Sequence, residues 1–242
     1  MSRFSRNLLV GVGVISFCWP QKFDGSVSLI AQLPKGELHE SGVTTGFGLD
    51  LNIFYYPVEY LGFGINLGGS VYDSSRRDIP FNYFSDLVTI TEETNNSIFH
   101  GHLLFRVQPI DSKIKPHFEG LLGFKNLQTN TRLYNEGCSD DPDTDHDDCE
   151  ISSSRNASDT ALSYGIGAGL NILLKTFSEE DKSGQLFFYV NGRYLWGGVA
   201  QYLKEGDIEF SNPEDGPVQT TFNWNNSKTD LLQISIGVSV AF

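Results

Sequence analysis

The chain has 242 residues, and its 30 aspartates and glutamates against 17 lysines and arginines give a formal net charge of −13 at pH 7. This charge argues against nucleic acid as a partner, because neutralising phosphates requires clustered lysine and arginine. The 25 glycines and 13% aromatic residues favour many strands joined by turns, and all-β barrels of this length are commonly one domain.

The beginning of the chain has the pattern of an export signal. Arg3 and Arg6 precede an apolar run at 8–19, which is too short to span a bilayer as a helix but typical of a signal peptide. We expect residues 1–20 to be this signal peptide, although no small-residue cleavage motif follows. A lipid anchor at Cys18 is disfavoured because a bulky phenylalanine precedes it. An apolar segment that is retained in the mature protein is an alternative that ranks between the signal peptide and the lipid anchor.

Beyond the signal, apolar and polar residues alternate with period two in eight segments. In one of them Leu49 and Leu51 lie on one face, and Asp50 and Asn52 lie on the other. Such alternation is typical of strands that have one apolar side. The eight predicted strands are 26–33, 46–56, 61–72, 98–108, 117–126, 162–173, 186–196 and 231–242.

The connections between these segments alternate in length. The short ones are 57–60, 109–114 and 178–184, and the long polar ones are 34–41, 73–97, 135–160 and 203–228. Tight turns at one end and long loops at the other are typical of outer-membrane β-barrels, whose turns face the periplasm. The fold prediction is therefore all-β, an eight-stranded antiparallel transmembrane β-barrel over residues 23–242.

The two faces of the predicted strands decide between this barrel and a soluble, lipocalin-like one. A soluble barrel would bury its apolar face, whereas a transmembrane barrel would turn that face to lipid. The less apolar face carries too many polar groups for a dry core. Its polar residues include Asp50, Asn52, Asn66, His100, His102, Arg106, His117, Glu119, Lys125, Asn171, Asn191 and Arg193. The apolar face, with Tyr55, Tyr194 and Trp196 near strand ends, is therefore predicted to contact lipid.

The interior of an eight-stranded barrel is only wide enough for its own side chains to fill. We expect a polar lumen cluster made of Asp50, Asn52, His100, His102, Arg106, His117, Glu119, Lys125 and Arg193. Because an unpaired buried charge is costly, the lysine and two arginines of this cluster should pair with its two carboxylates. The lumen is thus predicted to be a structural, non-conducting plug, with a narrow diffusion porin for small solutes as the alternative.

A lipid-modifying enzyme is a further alternative. Small barrels that resemble lipid A deacylases place a serine, a histidine and an acid on the lipid-facing surface. Here His100 and His102 share the inward face, with no obvious His-x-Ser pattern and no third metal ligand placed by the sequence. We therefore predict no catalytic residues and no enzymatic activity.

An acidic segment lies between Cys138 and Cys149 in the third long connection. Its aspartates at every second position are Asp141, Asp143, Asp145 and Asp147. The spacing only partly matches a calcium-binding loop, so we expect a solvated loop, with weak Ca²⁺ binding as the alternative and no other cofactor. Two cysteines in an exported chain favour a Cys138–Cys149 disulfide over two free thiols.

The last predicted strand alternates strictly up to a terminal Phe242. A free apolar strand that ends in an aromatic residue resembles the C-terminal signal by which bacterial outer-membrane proteins are recognised for insertion. If this strand pairs with the first one, the sheet closes and has no open edge.

Several strand segments resemble a known bacterial family. They are "GFGLDLNIFYYP", "TNNSIFHGHLLFRVQP", "KPHFEGLLGF", "SYGIGAGLNI" and "GRYLWGGVAQYLKEG". These segments look like strand motifs of the outer-membrane protein β-barrel domain family, similar to small OmpA-like and OmpW-like barrels. The resemblance implies a Gram-negative outer membrane, contact with outer-membrane lipid, and assembly by the barrel-insertion machinery, but no catalytic residues. The long loops add a surface adhesin or a subunit of a larger envelope complex as hypotheses.

Overall fold

The computed structural model describes residues 22–82, 87–108, 112–135, 150–179, 182–204, 207–211 and 219–242. Twelve strands and one short helix occur in this part of the chain. In chain order they are β1 (Lys22–Pro34), α1 (Glu37–Glu40), β2 (Gly46–Val58), β3 (Leu61–Asn82), β4 (Leu87–Val107), β5 (Ile114–Asn135), β6 (Glu150–Glu179), β7 (Lys182–Gly197), β8 (Val199–Tyr202), β9 (Ile208–Ser211), β10 (Gln219–Phe222), β11 (Asn225–Lys228) and β12 (Leu231–Ala241). A membrane-spanning helix is not found among the described residues.

Eight of these strands form a closed antiparallel barrel in the order β1-β12-β7-β6-β5-β4-β3-β2. The eight predicted strands are therefore confirmed, as is the closure of the last strand on the first. Strands β1 and β12 pair from Asp24↔Ala241 to Pro34↔Leu231. Beyond this ladder, Phe23 N donates to Phe242 O at 2.8 Å and Phe242 N to Phe23 O at 2.9 Å. Both ends of the barrel sheet are thus paired, and no edge is left open there.

The apolar side of the strands faces outward, as predicted. Large exposed side chains are found on all eight barrel strands, for example Leu29 on β1, Leu51 on β2, Ile166 on β6 and Ile236 on β12. Neighbouring residues such as Ser28, Asp50 and Ser235 are buried inside. The sequence alternation produces this arrangement directly, because successive side chains of a strand point to opposite faces of the sheet.

Three of the four long connections differ from the prediction, because part of their described length is strand. Strands β3 and β4 continue to pair from Asp73↔Asn96 to Asn82↔Leu87, in a stretch predicted as the loop 73–97. Strands β5 and β6 likewise extend into 135–160, and the predicted loop 203–228 contains β9, β10 and β11. Outside a bilayer both faces of a β-ladder can be solvated, so polar composition alone does not distinguish such a ladder from a loop.

We call the end of the barrel that carries these extensions the loop end, and the opposite end the turn end. At the turn end β2 stops at Val58 and β3 begins at Leu61, whereas β6 stops at Glu179 and β7 begins at Lys182. Phe23, near the start of β1, and Phe242 are paired there as well. This geometry matches the predicted alternation of short turns and long connections.

Candidate functional site

The polar lumen holds all nine residues of the cluster named from the sequence. Their relative exposures lie between 0 and 4%. These residues are Asp50, Asn52, His100, His102, Arg106, His117, Glu119, Lys125 and Arg193. Each occupies an inward position of β2, β4, β5 or β7, so the alternation of side chains along these strands places all nine in the lumen.

Glu119 is shared by two arginines. Its Oε1 accepts hydrogen bonds from Nε of Arg106 at 2.9 Å and from Nη2 at 2.6 Å. Its Oε2 accepts one from Nε of Arg193 at 2.9 Å and one from Nδ2 of Asn191 at 2.9 Å. A buried carboxylate with this many charge-assisted partners has its lost hydration replaced by protein donors.

Arg193 connects this carboxylate to the opposite side of the barrel. Its Nη1 lies 3.0 Å from Oδ2 of Asp50, and its Nη2 donates to Oδ1 of Asn52 at 2.8 Å. Glu119 belongs to β5, Arg193 to β7 and Asp50 to β2, so the ionic network crosses the lumen. The interior is therefore filled at this level by a planar cation held between two carboxylates.

Arg106 is additionally held by groups that the sequence analysis missed. Its Nη1 lies 3.4 Å from Asp24 and 3.3 Å from the hydroxyl of Tyr56, and its guanidinium carbon is 3.7 Å from the ring centroid of Phe54. The first strand was predicted to begin at residue 26. Extending its alternation by one pair of residues would have placed Asp24 on the inward face.

Asp50 fixes the direction of the neighbouring hydrogen bonds because a carboxylate only accepts. Its Oδ1 accepts from Nε2 of His100 at 2.9 Å and from Nδ2 of Asn66 at 2.7 Å. Nδ1 of His100 then accepts from Nε2 of Gln32 at 3.2 Å. One nitrogen of His100 therefore donates and the other accepts.

The hydrogen bonds of Asn66 determine, in the same way, which nitrogen of His102 donates. Since its nitrogen donates to Asp50, its Oδ1 faces Nδ1 of His102 at 3.1 Å and accepts from it. Nε2 of His102 lies 2.9 Å from Oγ of Ser163, which leaves the serine as donor. The chain from serine to histidine to asparagine thus runs in one defined direction.

Lys125 and His117 differ in their contacts from the rest of the cluster. Nζ of Lys125 donates to the backbone carbonyls of Leu195, at 3.4 Å, and Thr229, and not to a carboxylate as the sequence analysis expected. His100 lies opposite Lys125 in the β4–β5 ladder and takes the bond to Asp50. His117 stacks on Tyr189 with 5.8 Å between ring centroids.

Inward glycines allow these side chains to meet across an intervening strand. An added Cβ at Gly68 would lie 2.5 Å from Oδ1 of Asp50 and 2.6 Å from Nε2 of His100. At Gly167 it would lie 2.9 Å from Cγ of Arg193, and at Gly62 it would lie 2.7 Å from the ring of Tyr56. A side chain at any of these positions would occupy the space through which the partners on the flanking strands pair.

An apolar cap lies at the loop end of the lumen. Its buried members include Leu38, Val43, Tyr72, Ile98, Leu127, Leu195, Ala200, Tyr202 and Leu231. Helix α1 carries Leu38, and the segment around it is anchored by a bond of 2.5 Å between the hydroxyls of Ser41 and Tyr202 and one of 2.6 Å from Nζ of Lys204 to O of Ser41. This cap was not predicted, because 34–41 was expected to be a polar loop.

Three further sequence predictions lie outside the described residues. They are the signal peptide 1–20, the Cys138–Cys149 disulfide and the candidate calcium ligands Asp141, Asp143, Asp145 and Asp147. Within the described ranges, histidine, cysteine, aspartate and glutamate form no group of three or more that could hold a metal ion.

Comparisons with known proteins find neither a matching family model nor a matching curated protein. Solved structures do match. Ail, the attachment invasion locus protein of Yersinia pestis, in complex with the heparin analogue sucrose octasulfate, has 15% identity and a TM-score of 0.39, with 93% of this chain and 100% of that chain covered. Neisserial surface protein A has 10% identity and a TM-score of 0.34, with 91% and 95% covered. The N-terminal β-barrel domain of Pseudomonas aeruginosa OprF has 11% identity and a TM-score of 0.31, with 92% and 100% covered.

The distribution of polar and apolar side chains over the barrel indicates whether water or lipid surrounds it. A closed sheet satisfies every backbone donor and acceptor without an edge, which is the condition for strands to span a lipid bilayer. An apolar outer face, a polar and ion-paired interior, and short turns at one end complete the pattern. These features are those of a transmembrane β-barrel with eight strands.

Proposed function

We propose that this protein is a sealed, non-conducting barrel that acts at the cell surface through the part extending beyond its loop end. The observation that supports this most directly is the bridge from Glu119 through Arg193 to Asp50, which occupies the middle of the lumen. The apolar cap under Leu38 is a second obstruction in series. An ion would have to displace both, and an eight-stranded barrel offers little room around them.

The extended ladders supply the surface for an interaction role. The β3–β4 ladder continues beyond the barrel to Asn82↔Leu87, and the β5–β6 ladder continues to Tyr134↔Glu150. Since β4 also pairs with β5 up to Ile90↔Asn135, the two ladders form one protruding sheet. A rigid sheet held away from the membrane can present side chains to a protein partner without ordering a loop first.

Conductance in planar bilayers tests the sealed lumen. We expect the purified, refolded protein to produce no unitary current steps, while a porin reconstituted by the same procedure conducts. Shortening 36–42 to a tight turn should also leave the bilayer silent, because the ionic bridge lies below the cap. Reproducible steps from the unmodified protein would favour the narrow diffusion porin instead.

Removing the β3–β4 part of the protruding sheet tests the surface role. A variant in which 74–95 is replaced by a two-residue turn keeps all barrel pairings from Leu61 to Val71. We expect the unmodified protein to form higher-mass complexes on native gels of cross-linked membranes. The variant should remain heat-modifiable on gels, as a folded barrel is, but should lack these complexes. Unchanged complexes would remove the β3–β4 part of the protruding sheet from the proposal.

One observation favours an enzyme as the second candidate function. Ser163, His102 and Asn66 have the order of a nucleophile, a base and a group that orients the base. All three are buried inside the barrel, away from the lipid-facing surface. Labelling of Ser163 by a fluorophosphonate, absent in Ser163→Ala, together with hydrolysis of lipid esters would support this candidate. Absence of labelling in folded protein would reject it.

A further inference from the structure

The strands that close the barrel, β1 and β12, carry mostly small inward side chains where they meet. We call their ladder the seam. Its central inward pairs are Ser26↔Ser239, Ser28↔Gly237 and Ile30↔Ser235. Nearer to the loop end, Nε2 of Gln32 donates to Oε1 of Gln233 at 3.1 Å. Nearer to the turn end, Oγ of Ser239 donates to Asp24. Oγ of Ser28, between these two bonds, is buried and has no hydrogen-bond partner. Side chains of β1 and β12 therefore contribute little direct hydrogen bonding at the centre of the seam.

The side chain of Arg193 crosses the seam inside the lumen. Arg193 belongs to β7, the neighbour of β12, whereas Asp50 and Asn52 belong to β2, the neighbour of β1. In the β1–β2 ladder Asp50 lies opposite Ser28, and Asn52 lies opposite Ser26. The bonds from the guanidinium to Asp50, at 3.0 Å, and to Asn52, at 2.8 Å, therefore join the two strands that flank the seam.

The bonds of Arg193 differ in whether they require a closed seam. If β1 and β12 separated, the sheet would run β1-β2-β3-β4-β5-β6-β7-β12. Glu119 on β5 would still be separated from β7 by one strand, so its bond to Arg193 does not depend on the seam. Strand β2 would be five strand spacings from β7, about 24 Å along the sheet. The bonds to Asp50 and Asn52 can therefore exist only when β1 and β12 are paired.

We propose that Arg193 is a latch that holds the seam closed from inside the barrel. Glu119 binds Nε of the guanidinium, while Nη1 and Nη2 reach Asp50 and Asn52 on the other side of the seam. Opening the seam would separate a buried carboxylate from its arginine, which is costly. This role goes beyond the proposed function, because it concerns how the barrel wall stays closed and not what the lumen or the surface does.

Arg106 is a matched control for the latch. It is as buried as Arg193, with both 1% exposed, and it also joins Glu119 to an aspartate, Asp24. Arg106 lies on β4 and Asp24 on β1, and these strands are connected through β2 and β3 without crossing the seam. The two arginines thus make comparable ionic contacts, but Arg193 alone of the pair bridges the seam.

Hydrogen–deuterium exchange measured by mass spectrometry tests the latch, because a paired amide exchanges when its ladder opens. The samples are Arg193→Met and Arg106→Met in lipid vesicles, each restricted to the heat-modifiable, folded fraction. We expect Arg193→Met to accelerate exchange severalfold more in 26–30 and 235–239 than in β4 and β5. Arg106→Met should show no such preference for the seam. If either methionine variant fails to fold, Arg193→Lys and Arg106→Lys allow the same comparison, because lysine keeps the charge but lacks the planar fork.

A disulfide across the seam provides the second measurement. Val27 and Val238 are opposite each other in the seam and are exposed on the outer face. Val27→Cys with Val238→Cys, in a chain whose three natural cysteines are replaced by serine, can therefore join the strands without altering the lumen. The oxidised pair should abolish the excess seam exchange of Arg193→Met, and reduction should restore it.

Three outcomes would overturn the latch. They are equal acceleration in all strands of Arg193→Met, an equal preference for the seam in Arg106→Met, and excess seam exchange that persists with the disulfide formed. The proposed sealed lumen is tested separately by conductance, so a failure of the latch and a failure of the sealed lumen can be distinguished.

Discussion

At the scale of single residues, the lumen contains buried charges because each one has several partners. Asp50 accepts from His100, Asn66 and Arg193, and Glu119 accepts from two arginines and an asparagine. Breaking a buried ion pair leaves the remaining charge without compensation, which costs more than the pair contributes. Stability should therefore respond strongly to single changes in the network.

Replacing Arg193 tests this dependence. Arg193→Met removes the cation between two carboxylates, and we expect the free energy of unfolding to fall by about 3–5 kcal/mol. Urea titration in lipid vesicles would measure this change. Lys228→Ala is the matched control, because Lys228 forms an exposed pair with Glu37 at 3.8 Å and should contribute less than about 1 kcal/mol. Equal effects of the two substitutions would show that the lumen network does not govern stability.

Gly68 provides a test of the space that the network requires. Gly68→Ala would place a methyl group 2.5 Å from Oδ1 of Asp50, so the carboxylate or His100 must move. We expect a loss of about 1–3 kcal/mol, the usual cost of overpacking a filled interior. Gly120→Ala serves as the control, because nothing lies within 4 Å of its added Cβ. If Gly68→Ala leaves the free energy of unfolding unchanged, Asp50 and His100 move to accommodate the methyl group without cost.

At the scale of secondary structure elements, alternation predicts strands and faces well but not how far strands extend. The segment 46–56 was identified because Leu49, Leu51 and their neighbours turn to lipid, and β2 spans Gly46–Val58. Residues beyond the membrane lack this contrast between faces. The ladder from Asp73↔Asn96 onward therefore left no periodic signal, and its pairing partners became known only from the structure.

The lumen cluster could be predicted from the sequence about as well as the strands could. Which residues point inward follows from period two, so the nine lumen residues could be named before their contacts were known. Which of them meet depends on register and on inward glycines, and neither can be read from one strand alone. Arg193 reaches Glu119 across the strand that carries Gly167, and Lys125 reaches backbone carbonyls. A local pattern contains no information about such pairings between strands that are not adjacent.

The depth of β2 in the bilayer can be tested with two residues on its lipid-facing side. Leu51 lies in the middle of the outward row of β2, and Phe47 lies near the loop end of that row. We expect Leu51→Arg to lower the free energy of unfolding in lipid by about 2–4 kcal/mol, and Phe47→Arg by about 0–1 kcal/mol. Unfolding in vesicles would measure both, and equal penalties at the two depths would contradict the assigned position of the membrane.

At the scale of the whole molecule, two properties of the last strand can be separated: its place in the finished barrel and its role during assembly. In the structure, Phe242 contributes mainly through its backbone, which exchanges hydrogen bonds with Phe23. Its side chain is 65% exposed and faces lipid. Alanine would keep the backbone bonds. The finished barrel should therefore tolerate the loss of this ring, whereas a recognition signal that requires a terminal aromatic residue should not.

Phe242→Ala should thus change the free energy of unfolding by less than about 1 kcal/mol, as expected for an apolar side chain exchanged at the lipid surface. In cells, however, we expect the heat-modifiable, membrane-inserted fraction of the variant to fall severalfold relative to the unmodified chain. Ile236→Ala is the control, because Ile236 lies on the same strand and face and is also exposed. If both variants insert as well as the unmodified chain, Phe242 is not an insertion signal. If Phe242→Ala instead fails to refold from urea into vesicles, its ring stabilises the barrel itself.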